Sequence, residues 1–173
     1  KHDKERYEHK YEYCDLLITG SGPSGLASAY AAAKNGARVI LAEDKPRFGG
    51  SLLTSEVTIG NQSGKEWANS IITELKEMPN VIVKNRAQVF GYYDHNMLVM
   101  SERINDHLPK SKKYSPKQRL WYIRAKEVVI SSGSIERPLV FGNNDTPGVV
   151  LSSAAKEYLK VYGVLVGRNP LIF

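Results

Sequence analysis

Gly20-Ser21-Gly22-Pro23-Ser24-Gly25 carries glycines at the spacing Gly-x-Gly-x-x-Gly. Each glycine meets a physical need where a chain turns toward an anion. Gly20 permits a tight turn, Gly22 keeps a Cβ from standing between backbone and a pyrophosphate, and Gly25 lets a following helix pack closely. The free N–H groups and partial positive charge at the start of that helix, entered through Pro23 and Ser24, complete a phosphate cradle. Roughly 20 positions further on stands Glu43, where a carboxylate accepts hydrogen bonds from a ribose diol and repels a 2′-phosphate, which disfavours NADP. Asp44 is the alternative for the same task. Gly49-Gly50 lets the chain pass close to a pyrophosphate or its adjoining ribose. Ser132-Gly133 closes a later strand, where a crossing segment covers a cofactor.

The rest of the chemical equipment is sparse. His2, His9, His95 and His107 are scattered and share no metal-ligand spacing. Cys14 is the single cysteine, lacks a CxxC partner, and reads as a packing residue rather than a nucleophile. Ser24 does not stand in the Gly-x-Ser-x-Gly pattern of a nucleophile elbow. No catalytic residue and no metal site is assigned; the residues bind a dinucleotide and supply no chemistry of their own.

Regular elements must position that turn. Asp15 to Thr19 is a short apolar run stopped by glycine, the mark of a strand buried on both faces. The alanine-rich stretch Leu26 to Lys34 predicts a helix that sits close to a sheet, ended by Asn35-Gly36. Arg38 to Glu43 predicts the next strand and closes a βαβ unit of about 30 residues. Trp67, Ile71, Ile72 and Leu75 fall on one face of a helix over Lys65 to Met78. Val81 to Val83 predicts a third strand, and Gln88 to Met100 a hairpin turning near Asp94-His95-Asn96. Strands follow at Leu120 to Arg124 and Glu127 to Ile130, then a helix from Ser152 to Tyr162 with Ser152 or Ser153 as its N-cap.

These elements predict an α/β, Rossmann-like FAD/NAD(P)-binding domain with a central parallel sheet and an added β-hairpin or meander over residues 15–142. Residues 1–14 read as an N-terminal extension. Residues 143–173 read as a connection to a second nucleotide-binding half, because Leu171-Ile172-Phe173 has the character of a strand just starting. At 173 residues the chain suits one domain with a real core. No apolar run approaches the roughly 18–20 residues that span a bilayer, and residues 1–13 lack an apolar signal core. A cytoplasmic setting without membrane contact is expected. The net charge of +6 owes much to Lys110, Lys112, Lys113, Lys117 and Arg119. With few interleaved aromatics, this stretch reads as a solvated loop, with docking to another subunit as the alternative; nucleic-acid binding is not expected.

Several longer stretches resemble the alpha subunit of heterotetrameric sarcosine oxidase. They are Tyr7-Glu8-His9, the Gly20–Ala27 turn, Phe48-Gly49-Gly50-Ser51-Leu52, Val89 to Asn96, Gln118 to Trp121, Gly133 to Phe141, and Asn144 to Val149. The resemblance spans nearly the whole chain and implies an oxidoreductase in which this region is a scaffold for NAD. It implies a complex with beta, gamma and delta subunits that also holds FAD and FMN. Such a complex oxidises sarcosine with oxygen to glycine and hydrogen peroxide and passes a one-carbon unit to tetrahydrofolate. By position, Gly50, Ser51 and Leu52 would line the middle of the cofactor, Val89 would meet the adenine edge, and Ser132-Gly133 would cover the pyrophosphate. Ser131-Ser132-Gly133 departs from the Ala-Thr-Gly frequent in that family, a small change in size and hydrogen bonding. The resemblance further implies that residues 1–173 alone lack oxidase activity.

Two other readings share the residues. The same glycines and acid serve FAD in pyridine-nucleotide-dependent flavoprotein reductases, so spacing leaves NAD and FAD both open. A non-catalytic interaction module with a reused nucleotide fold is the third, against which the intact Gly20, Gly22, Gly25 and Glu43 weigh.

Overall fold

A computed structural model describes residues 6–108 and 115–172. Its centre is a six-stranded sheet built from β1 (Tyr7–Thr19), β2 (Val39–Ala42), β5 (Val81–Lys84), β6 (Ala87–Tyr93), β7 (Met97–Arg103) and β8 (Gln118–Ile130). The strand order is β5-β2-β1-β8-β7-β6. The first four in that order run parallel, and β8, β7 and β6 continue as an antiparallel meander. Two short strands, β3 (Thr58–Ile59) and β4 (Gln62–Ser63), form a separate antiparallel pair. The helices are α1 (Pro23–Lys34), α2 (Gly64–Glu77) and α3 (Ser152–Tyr162). The expected α/β architecture with its parallel centre and added meander is therefore present.

Alternation along β1 and β2 divides the core. Ile18, Val39 and Leu41 pack with Leu26 and Ala29 of α1 and with Ala68, Ile71, Ile72 and Leu75 of α2. Leu17, Ile40 and Ala42 join Leu98, Met100, Trp121 and Ile123 of the meander. The register Leu17↔Ile40 and Ile18↔Leu41 keeps each set on its own face. Alanines at 29 and 33 leave α1 close to the sheet. A capping box starts α2: the Ser63 side chain accepts from Glu66 N, and Ser63 N donates to Glu66 Oε2 at 2.9 Å.

Three expectations change. β1 starts at Tyr7, so residues 7–14 belong to the sheet rather than to an extension. This half pairs with β8 alone, Tyr7↔Gln118 through Cys14↔Ala125, because β2 reaches only Leu16 to Thr19. One side of it stays wet, so tyrosines and charges replace the apolar run; Tyr11 stacks on Tyr122 with ring centres 5.0 Å apart. The two strands expected at 120–124 and 127–130 are one continuous β8. Polar Lys126 fits inside it because it stands exposed on the strand, where its ammonium also pairs with Asp15 of β1 at 2.6 Å. α3 spans the expected residues, but its N-cap is Leu151, with no side-chain cap of its own. Most of the basic stretch, residues 110–113, lies outside the described residues.

Candidate cofactor-binding site

β1 delivers the chain to the carboxyl end of the parallel strands, where α/β sheets bind ligands. Gly20, at φ +97°, donates its N–H to Ala42 O at 2.8 Å. A Cβ there would run into the Ser131 carbonyl oxygen, and a Cβ at Gly25 into the Gly20 carbonyl oxygen. Both glycines are thus fixed by protein packing. Gly22 differs: nothing lies within 4 Å of the Cβ it would carry. It is the N-cap of α1, with Pro23 next and no side-chain cap on the helix. The start of α1 therefore faces open space with its N–H groups available, which fits a phosphate.

That open space is a cavity of about 840 Å³, within the range of roughly 300–1,000 Å³ for small-molecule sites. Gly20, Gly22, Pro23, Ser24, Glu43, Asp44, Gly50, Ser51, Val89, Ser132 and Gly133 all line it. Two expected residues do not. Gly25 is buried under the turn. Leu52 is buried in the core, where the helical turn Gly50–Leu53 aims it at Ala68 and its helix. The glycine pair also has a packing reason beside the expected one. Gly49 and Gly50 stand at φ +118° and +52°, and a Cβ on Gly50 would sit 2.9 Å from Gly22 Cα. The pair lets this turn close on the phosphate turn.

Glu43 is only 6% exposed. Its Oε2 accepts from Ser21 N at 2.9 Å and from Ser21 Oγ, and its Oε1 accepts from Lys45 N at 3.0 Å. Burial pushes its carboxyl above the usual range, and neighbouring Asp44 adds to the rise; the bonds from Ser21 and Lys45 oppose both. Asp44 is exposed at the cavity edge, so Glu43 is the better-held acid. Ser131 also lines the cavity, and its buried Oγ has no partner.

The opposite wall is α3, which sequence reasoning did not place. Lys45 Nζ pairs with Glu157 at 3.0 Å, and Arg47 Nη1 donates to Val161 O at 2.9 Å. Lys45 titrates above its usual range chiefly through that bond to Glu157. Glu136 reaches the start of α3: its Oε1 accepts from Ser152 Oγ and its Oε2 from Ser153 N, both at 2.8 Å. Those bonds, led by Ser153, hold its carboxyl down at about 2. Glu136 does the capping that Ser152 or Ser153 was expected to do. Lys45-Pro46-Arg47 directly after the acid pair was visible in the sequence, but nothing there revealed an acid 112 positions away on the other side.

No His or Cys lines the cavity among the described residues. Cys14 is fully buried, and burial, aided by Asp15 and Glu12, pushes its thiol up to about 12. At neutral pH it stays protonated and packs, as a nucleophile would not.

Residues 15–110 match the family described as FAD dependent oxidoreductase. Over 171 residues, 99% of the chain, the sequence is 44% identical to sarcosine oxidase subunit alpha of Rhizobium meliloti (strain 1021) and covers 17% of it. It is 39% identical over 173 residues to sarcosine oxidase subunit alpha of Corynebacterium sp. (strain P-1), covering 98% of the chain and 18% of that protein. The chain thus spans less than a fifth of these relatives' length. The crystal structure of L-proline dehydrogenase from P. horikoshii superposes with a TM-score of 0.73 at 24% identity, over 93% of this chain and 31% of that one. The shared feature there is the fold. Among the described residues no helix is long and apolar enough to cross a membrane.

Proposed function

The chain belongs to the FAD dependent oxidoreductase family, and from that premise we propose that it is the dinucleotide-binding region of an oxidoreductase subunit of the sarcosine oxidase alpha type, holding NAD as a resident cofactor. One observation carries the proposal. A single cavity has an uncapped helix start with an open Gly22 at one place on its wall and a buried, oriented carboxylate, Glu43, at another. The first suits a pyrophosphate and the second a ribose diol. In this reading Gly22, Pro23 and Ser24 hold the pyrophosphate and Glu43 the ribose. Ser51 and Val89 line the middle and the adenine end, and Ser132-Gly133 covers the phosphates. When bound, the dinucleotide supplies a ring able to accept hydride or electrons; this chain's residues bind and orient it. In this reading residues 15–142 carry the groups that hold the dinucleotide, and α3 forms the opposite wall of its cavity.

The similarity to sarcosine oxidase alpha subunits supports a wider proposal: assembly with beta, gamma and delta subunits, FAD and FMN in the same complex, and oxidation of sarcosine to glycine with hydrogen peroxide and one-carbon transfer to tetrahydrofolate. FAD in this cavity is the second reading, favoured by the family match itself. Denaturing the full-length protein and identifying the released small molecules by absorbance and mass decides between them. Site assignment uses the same protein carrying Gly22→Val. NAD lost from the variant supports the proposal, FAD lost in its place establishes the second reading, and release unchanged by the substitution overturns both.

A further inference from the structure

Ser21 lines the cavity together with the glycines on either side of it, yet it is fully buried. Its polar atoms bind two other segments. The N–H and the hydroxyl both donate to Glu43 Oε2. Its carbonyl accepts from Gly49 N at 3.1 Å, and its Oγ accepts from the same N–H at 3.3 Å. One side chain thereby joins the phosphate turn, the acid after β2 and the glycine turn that closes over Gly22. Alanine would keep the backbone bonds and lose the links made by the hydroxyl.

The bonding also divides the two oxygens of Glu43. Oε2 takes two donors from Ser21, while Oε1 takes one, from Lys45 N. A carboxylate accepts about four hydrogen bonds, so Oε1 keeps capacity for a further donor. We propose that Ser21 is a positioning residue of the dinucleotide site: its buried hydroxyl fixes the orientation of Glu43 and presents Oε1 to the ribose. The inference rests on the dinucleotide reading for its ribose part; the Ser21–Glu43 link stands without it. Burial and Asp44 push Glu43 toward its neutral form, and the Ser21 hydroxyl is foremost among the groups holding it charged. The charged groups nearby are Asp44 and Lys45 on its own segment and, through Lys45, Glu157 of α3.

The test combines Ser21→Ala, Glu43→Gln and the double variant in the full-length protein. Carbon NMR follows the Glu43 carboxyl through its titration without added dinucleotide, and calorimetry follows NAD and FAD binding to cofactor-stripped protein from acid to neutral pH. Ser21→Ala raises the Glu43 midpoint above that of the unsubstituted protein and moves the acid limb of binding upward with it. Affinity at neutral pH falls by about tenfold, the scale of one hydrogen bond to a charged group. In the Glu43→Gln background the same change has little further effect, since its influence runs through the carboxylate. A Glu43 midpoint unmoved by Ser21→Ala overturns the inference, as does an affinity loss that is equal at every pH and undiminished in the Glu43→Gln background. If the unsubstituted protein binds neither dinucleotide, the functional reading fails, and the ribose part of the inference with it, while the NMR titration still decides the Ser21–Glu43 link.

Discussion

The sheet and the segment after it are made of similar residues put to opposite use. In residues 7–130, Leu17, Ile18, Ile40, Leu41 and Trp121 are all buried to 1% exposure or less. In residues 131–172, Ile135 and Val140 are 94% exposed, and no residue of α3 is buried. Polar links hold that segment against the rest: Lys45–Glu157, Arg47 to the Val161 carbonyl, and Lys160–Glu56. Exposed ion pairs contribute little, usually below about 1 kcal/mol each, whereas a buried large side chain contributes several times that. The cavity therefore has one wall anchored in the core and another, α3, held by surface contacts. Regions with few buried apolar contacts open at low free-energy cost, so α3 is the wall expected to yield when a ligand enters.

Trp121 tests the anchored side most severely. It is fully packed, and its Nε1 donates to the buried Glu102 at 2.7 Å. Trp121→Ala is expected to lower stability by about 3–5 kcal/mol, read as a fall in the denaturant midpoint. A loss below about 1 kcal/mol would place the stable core elsewhere. Glu43→Ala comes next. Losing the ribose bonds is expected to weaken dinucleotide binding by about 1.5–3 kcal/mol, measured by calorimetry; undiminished affinity would move the role to Asp44 or to neither.

The weaker wall gives smaller effects. Glu157→Ala frees Lys45 and is expected to change global stability by less than about 1 kcal/mol, while amide exchange across α3 quickens and β1 stays protected. Equal exchange in α3 before and after would show that the ion pair does not hold it. Acid sharpens the contrast further. The Glu136 carboxyl is depressed to about 2 from an ordinary 4.5 by its bonds to the start of α3. Its contribution is full above about pH 4.5 and is lost as pH falls toward 2. Glu43 is shifted the other way; on the sheet side Asp15 is held down by Lys126 and the Arg38 N–H and loses that contribution in acid too, but the apolar core that anchors β1 and β2 does not titrate. Exchange corrected for intrinsic rates is expected to rise in α3 before β1 and β2 as pH falls. Simultaneous loss would make the two regions one cooperative unit.

What the sequence made legible follows the same division. The βαβ unit is written in local signals: an apolar run, three glycines, an alanine-rich helix and an acid at the end of the next strand. Gly20, Gly22, Glu43 and Ser132-Gly133 could be placed at one cavity because strand order carries them there. Features set by distant partners were not legible. The start of β1 at Tyr7 depends on β8, more than 100 residues later. The family resemblance places Leu52 with Gly50 and Ser51 at the middle of the cofactor, but one helical turn sends it into the core. The placement of α3 over the cavity and its cap by Glu136 depend on long-range polar contacts that leave no periodic trace. Ser21 passed as a spacer between glycines, although a hydroxyl there is the group its burial required to be bonded.

The most direct test is Gly22→Val in the full-length protein, followed by calorimetric titration of the cofactor-stripped variant with NAD and FAD alongside a thermal melt. Gly22 has φ −67° and open space where its Cβ would go, so the fold should accept valine while the side chain fills the place of the pyrophosphate. The account predicts an unchanged melting temperature and no dinucleotide binding. Binding equal to that of the unsubstituted protein would contradict it, because the pyrophosphate could not then lie against this turn.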